Sequence, residues 1–409
     1  MGYHAGHHNL IIVAMHTLEQ LRSGALHGLR RLDLAADLTE FPREIFTLAD
    51  SLEILNLSGN QLSSLPADLP RLRQLKVIFC SNNRFTELPA VLGQCPALEM
   101  VGFKSNQIRA VPATALPARL RWLILTDNQI GELPAALGQC TRLQKLMLAG
   151  NRLQHLPASL AQCQQLELLR IAANDFHALP ACLWDLPALA WLAFAGNPFS
   201  AELEAAALQR SVPELAWPAL QLGERLGEGT SGQIFAASWQ GQAAAVKCFK
   251  AGLGSDGWTE SELAANLAAP PHPHLIRLLA RVQDAPAGQA ALLFERIGAG
   301  FSVMAGPPSL DSCTRDVYPA DLRFTRAQAE AIYGGIASAV NTMNAAGLIH
   351  GDVYAHNLLW YGEHSYLGDL GAASLFDPAD QPLGRRLQVI EARALAHLRA
   401  ELFSRVSAD

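Results

Sequence analysis

Charge is scarce in this chain: 17% of its 409 residues are Asp, Glu, Lys or Arg, against 50% hydrophobic. Lysine is scarcer still, at positions 76, 104, 145, 247 and 250 only, so arginine is the habitual cation and each lysine is a position to explain. The net charge of −6 lacks the basic excess that nucleic-acid binding needs. DNA and RNA are therefore not expected as partners. Long apolar runs are also missing near the N-terminus, where Leu10 to Met15 is too short for a signal sequence or a membrane span. No membrane association is expected, the cytoplasm is the expected location, and Met15 is an alternative start. The seven cysteines have no paired Cys-x-x-Cys spacing, which argues against a disulfide framework or a zinc site and for reduced thiols acting as small apolar residues. His4, His7 and His8 read as incidental or tag-like, not as a metal site.

What is abundant is leucine at fixed intervals. Asn60, Asn83, Asn106, Asn128, Asn151, Asn174 and Asn197 recur every 22 or 23 residues, each following a leucine eight positions earlier, from Leu52 to Leu189. The unit L-x-x-L-x-L-x-x-N-x-L-x-x-L-P, as in Leu143 to Pro157, resembles the leucine-rich repeat family over about half the chain. One such unit cannot bury its leucines alone, so neighbours are expected to stack short strands into a parallel-sheet horseshoe. The asparagine amide is suited to bonding backbone in the turn after each strand, and the prolines from Pro66 to Pro180 turn the chain onto the convex side. A degenerate first unit, Leu29 to Pro42 with Asp37 in the asparagine place, fits a capping repeat. Cys95, Cys140 and Cys163 share one register and are expected as a buried column.

Between the leucines, Val77, Phe79, Met100, Trp122, Ile124, Lys145, Met147, Leu168, Arg170 and Trp191 are expected to face the concave side. An exposed stripe holding Phe79, Met100, Trp122, Met147 and Trp191 is more apolar than solvation needs, which points to a protein partner or to the other half of the chain. The expected organisation is an N-terminal cap at 1–28, repeats at 29–212, a stiff linker at 213–219 and a second domain at 220–409. A short alanine-rich helix is expected from Ala201 to Arg210.

The second half carries chemistry. Leu348-Ile349-His350-Gly351-Asp352 leads to Asn357 at the spacing of a loop presenting a base and a metal ligand from one turn. A hairpin of Leu358-Leu359-Trp360 and Tyr366-Leu367 is expected to bring Asp369 back beside Asn357. Upstream, Gly227, Gly229 and Gly232 form a G-x-G-x-x-G loop that opens a hairpin and not a helix, which disfavours a dinucleotide fingerprint. Lys247 follows on a third strand, where a compact ammonium can reach phosphates that a forked guanidinium would misfit. Lys250 reads as a solvated strand end.

These elements together resemble the protein kinase family from about residue 220 to 400, an α+β bilobal fold here with a shortened C-terminal lobe. The resemblance implies that ATP and Mg2+ are the cofactors, that Lys247 binds phosphates and pairs with Glu262 (Glu260 being the rival), and that Glu295 and Ile297 hold adenine through hinge backbone, with Phe294 as gatekeeper. It further implies that Asp352 is the base that orients and deprotonates the acceptor hydroxyl, and that Asn357 and Asp369 hold the metal.

The chain also departs from that family. Gly351 stands where most protein kinases have an arginine that reads activation-loop phosphate, and Tyr354 where serine/threonine kinases usually place a lysine. Only about twenty residues separate Asp369 from the Ile390–Leu398 stretch, which reads as a buried helix, and no Ala-Pro-Glu follows. The expectation is a minimal, bacterial-type serine/threonine kinase whose repeats recognise protein. The alternatives are a pseudokinase scaffold and a small-molecule phosphotransferase of the aminoglycoside kinase type.

Overall fold

The computed structural model describes residues 15–229 and 231–407, so the histidines at 4, 7 and 8, the run Leu10–Ala14 and Thr230 lie outside the described residues. The chain divides into two compact units, Leu10–Leu189 and a second that runs from Ala190 to the C-terminus.

The first unit is a leucine-rich repeat sheet. It opens with the short helix α1 (Leu18–Arg22), started by a reciprocal box in which Thr17 Oγ1 accepts from Gln20 N and Gln20 Oε1 accepts from Thr17 N. Strands β1 (Arg31–Asp33), β2 (Ile54–Asn56), β3 (Val77–Phe79), β4 (Met100–Gly102), β5 (Trp122–Ile124), β6 (Lys145–Met147) and β7 (Leu168–Arg170) pair in sequence order, all parallel. Leu55, Ile78, Val101, Leu123, Leu146 and Leu169 stand in register beneath the sheet and are buried. The asparagines join one repeat to the next. Asn151 Nδ2 donates to Leu125 O and Leu148 O, both at 2.9 Å, while its Oδ1 accepts from Ile130 N at 3.0 Å. Each amide thus satisfies backbone groups that a sheet of three-residue strands leaves over. Opposite the sheet, Pro89, Pro112, Pro134, Pro157 and Pro180 precede short 3-10 turns at φ near the value that the proline ring imposes.

The concave stripe is less open than the sequence suggests. Phe79, Trp122, Ile124 and Met147 are half-buried, whereas Val77, Met100, Lys145, Leu168 and Arg170 are buried. Part of the cover is local: the Phe79 ring lies across Gly102 on the neighbouring strand, and Lys145 Nζ sits 4.2 Å from the Trp122 ring centroid. Cys95, Cys140 and Cys163 are buried, and all seven cysteines are unbridged.

The second unit begins with β8 (Trp191–Ala193) and α2 (Ala201–Leu208). The segment expected as a linker contributes instead β9 (Glu214–Ala216), which pairs in parallel with the edge of a sheet. That sheet runs β10 (Gln221–Glu228), β11 (Gly232–Trp239), β12 (Gln242–Phe249), β14 (Ala291–Glu295), β13 (Leu278–Gln283), β9. Alternate inward residues such as Ala244, Val246 and Cys248 join Leu215, Ala280, Val282 and Leu293 in its core. Helix α3 (Thr259–Ala268) follows β12. The remainder holds β15 (Ser302–Val303), α4 (Arg326–Ala345), β16 (Leu348–Ile349), the hairpin β17 (Leu358–Tyr361) and β18 (His364–Leu367), β19 (Ser374–Leu375) and α5 (Gln381–Phe403). Thr325 with Gln328, and Asp380, cap the starts of α4 and α5. Among the described residues no helix is long and apolar enough to cross a membrane.

Candidate active site

The site is built on the turn after β16. His350 is fully buried, and both ring nitrogens are used: Nδ1 accepts from Asp352 N at 3.2 Å, and Nε2 faces Gly368 O at 2.9 Å. A nitrogen that accepts a backbone N–H carries no proton, so the proton belongs on Nε2. The imidazole therefore ties the Asp352 backbone to the strand that leads to Asp369. Asn357 closes the turn, its Nδ2 donating to both Asp352 O and Asp352 Oδ2 at 2.9 Å. That leaves the Asn357 amide oxygen to accept or to ligate. The β17–β18 hairpin returns the chain, and Gly368 N donates to Asn357 O at 3.0 Å. Asp369 follows in a left-handed conformation (φ 53°), with Oδ1 accepting from Gly371 N at 3.1 Å.

A second cluster meets this one from the sheet. Lys247, on β12, forms an ion pair with Glu262 Oε1 on α3, while Glu260 on the same helix is exposed. Burial acts to lower the Lys247 pKa, but Glu262 and then Asp369 outweigh it, and the ammonium is held above its ordinary value. Asp369 is thus within electrostatic reach of Lys247. Gly371 lies between Asp369 and Glu262: a Cβ there would stand 3.2 Å from Asp369 Oδ1 and 3.8 Å from Glu262 Oε2.

The glycine loop joins β10 to β11. Gly229 N donates to Gly232 O at 2.9 Å, a Cβ on Gly232 would meet the Cys248 carbonyl, and the space beside Gly229 is open. Gly227 sits at a register shift of β10. Lys250, read from the sequence as a solvated strand end, is tied to this loop, its Nζ 2.6 Å from Glu228 Oε1 and 3.2 Å from Gly229 O. Glu295 ends β14 with its Oε1 accepting from Arg277 N at 2.8 Å, and Ile297 lies just beyond the strand.

Three features escaped sequence reasoning. Glu391 on α5 is fully enclosed beneath the turn, Oε1 accepting from His350 N at 2.8 Å and Gly351 N at 3.0 Å, and Oε2 from Asn344 Nδ2 at 2.9 Å. Burial pushes its carboxyl up to about 7 against the pull of those donors. His356 is held by Asp316 (Nδ1 to Oδ1, 2.7 Å); burial lowers its pKa, but Asp316, Asp352 and Asp369 together raise it. Trp191 is 1% exposed and stacks on Tyr354 at 4.2 Å and 11°, so in this structure it is not offered to an outside partner. No periodicity marks one Glu on the buried face of a helix as a loop anchor, and none pairs residues 163 positions apart.

A family model of the protein kinase domain matches residues 220–389, and leucine-rich repeat models match 51–72, 118–176 and 141–199. The chain joins leucine-rich repeats to a protein kinase domain. No curated protein matches it. Among solved structures, the chain is similar to a leucine-rich repeat protein of Leptospira interrogans (27% identity, TM-score 0.34, covering 41% of this chain and 48% of that one). It is also similar to the plant peptide hormone receptor RGFR1 in complex with RGF2 (30%, TM-score 0.39, 48% and 31%) and to an internalin from Listeria monocytogenes (18%, TM-score 0.38, 46% and 54%). The chain thus spans about half or less of the length of these proteins. In the kinase domain, then, Lys247, Glu262 and Asp369 lie together, Asp352 and Asn357 share one turn, and Glu295 and Ile297 stand at the end of β14.

Proposed function

We propose that the chain is an ATP- and magnesium-dependent serine/threonine protein kinase of the minimal, bacterial type, working in the cytoplasm, whose repeats select a protein partner. The observation that carries this reading is the half-buried Lys247 paired with the buried Glu262 beside Asp369, with Asp352 and Asn357 bonded in the neighbouring turn. An ammonium kept charged at the centre of a lobe suits an anion that arrives with a metal.

The residues fit both groups. Open space beside Gly229 suits a phosphate against loop backbone, as Gly227 and Gly232 suit the turn around it. Asp369 and Asn357 offer carboxylate and amide oxygens, the donor set of a hard divalent cation. Bound Mg-ATP supplies the phosphoryl group and neutralises its charge. Lys247 would hold the phosphates, Glu262 would orient Lys247, and the backbone of Glu295 and Ile297 would take adenine. Asp352, steadied by Asn357 and by the His350 ring, would orient the acceptor hydroxyl and take its proton. The half-buried Phe79, Trp122 and Met147 remain the best residues for a partner on the repeats. Seven unbridged, buried thiols suit a reducing compartment.

A scaffold without catalysis has one observation in its favour: Tyr354, in the place where a lysine would steady the transferred phosphate, is buried against Trp191. Incubation of the full chain with radiolabelled ATP and magnesium separates the readings. Label should enter the chain or a protein hydroxyl acceptor and be lost in a folded Asp352→Asn variant. Equal labelling by that variant overturns the assignment of the base, and failure to bind Mg-ATP leaves the scaffold. Transfer to amino-alcohols but never to protein indicates a small-molecule phosphotransferase.

A further inference from the structure

The kinase domain has no arginine before Asp352 and only a short segment after Asp369, so something else must hold the catalytic turn and the Glu262 helix in place. Both are held by the same stretch, residues 191–210, the end of the repeats. Trp191 Nε1 donates to Val353 O at 3.1 Å, and its ring lies flat on Tyr354. Ser374 Oγ accepts from Phe194 N at 2.9 Å and from Ala195 N at 3.1 Å, and Ser374 pairs in β19 with Ile349, the residue before His350. The backbone of the turn comes so near this strand that a Cβ on Gly351 (φ 72°) would lie 2.6 Å from Leu192 O. An arginine side chain could not start from that position. The glycine is therefore part of the joint.

Ten residues on, α2 grips α3. Glu204, 9% exposed, accepts from Ser200 Oγ and from Ser261 Oγ, both at 2.6 Å, and from Gly196 N at 2.7 Å. Ser261 is the neighbour of Glu262. Arg210 Nη1 donates to Ala268 O at the far end of α3, at 2.8 Å, and Leu208 O accepts from Arg281 on β13 at 2.6 Å. A buried carboxylate filled by two hydroxyls and a backbone N–H fixes both position and rotation of the helices it joins.

We infer that the last repeat strand and α2 form a built-in brace whose positioning residues, Trp191, Glu204, Ser261 and Ser374, hold the Asp352 turn and the Glu262 helix in register for phosphoryl transfer. This rests on the kinase reading for its purpose, though not for its geometry. The brace stands where a switch would: the position before Asp352 holds no arginine to read a phosphate on the segment after Asp369, and any signal that moves residues 191–210 acts on both halves of the site together.

The test compares the full chain with Trp191→Ala, Ser374→Ala and Ser261→Ala, following amide hydrogen exchange, nucleotide affinity and single-turnover transfer. Ser374→Ala removes one hydroxyl and serves if Trp191→Ala fails to fold. Trp191→Ala and Ser374→Ala should raise exchange across 350–357 and cut kcat about tenfold or more while KM for ATP moves less than about twofold. Ser261→Ala should raise exchange along 259–268 and act on KM for ATP as well. Trp191→Phe, which keeps the ring on Tyr354, should recover most of the rate. If the wild-type chain transfers no phosphate, the kinase reading falls and exchange alone judges the brace. Folded Ser374→Ala and Ser261→Ala variants with wild-type exchange at both segments overturn it.

Discussion

The α-carbon of Gly351 faces the carbonyl of Leu192, and a Cβ would stand 2.6 Å from that oxygen and equally near Ala372 O. Gly351 also has a φ of 72°, where an L-residue is strained. Gly351→Ala should therefore lose about 2–4 kcal/mol of stability from strain and overpacking together. Denaturant unfolding of the full chain measures this, and a loss below about 1 kcal/mol would show that the strand and turn can part freely.

Lys247 and Glu262 should fail unequally. Lys247→Met leaves a carboxylate with 3% side-chain exposure facing no ammonium, at a cost of about 3 kcal/mol, whereas Glu262→Gln leaves a lysine still attracted by Asp369 and should cost less. Unfolding curves for the two variants give the order directly.

Glu391 makes stability depend on pH. Its carboxyl is pushed from 4.5 up to about 7 in the fold, so its contribution is whole below pH 4.5 and is lost as pH rises through about 7. The full swing is about 3 kcal/mol. Glu391→Gln, uncharged throughout, should flatten that part of the stability profile; an unchanged slope would assign it to another group.

In the repeats, Asn151→Ala removes three hydrogen bonds and leaves Leu125 O, Leu148 O and Ile130 N inside the turn. A loss of about 2–3 kcal/mol is expected, against near-neutrality for Arg152→Ala, which is exposed next door. Paired unfolding measurements decide it.

Burial pushes the Cys95 and Cys140 thiols up to about 11 and Cys163 to about 12. The native chain should accordingly resist maleimide at pH near 8 and react at all seven cysteines once denatured. Rapid native labelling of Cys95, Cys140 or Cys163 would show that the convex side opens.

The repeat register was readable because each leucine and asparagine acts through neighbours one unit away, so a local pattern encodes a local contact. The hairpin that brings Gly368 to Asn357 was readable for the same reason. Met100 was misread because exposure depends on what packs over a strand and not on the strand's own alternation, and the tie of the half-exposed Lys250 to Glu228 went unseen because it crosses a loop.

Sequence alone determined the two halves of this protein, the residue types able to do phosphoryl chemistry, and the oddity of a glycine before Asp352. Only the tertiary structure decided that Trp191 ends on Tyr354, that Glu204 reaches Ser261, and that Glu391 sits beneath the turn that carries Asp352. Those contacts join residues far apart in the chain, and they are set by how helices and strands pack, which no periodicity of the sequence records.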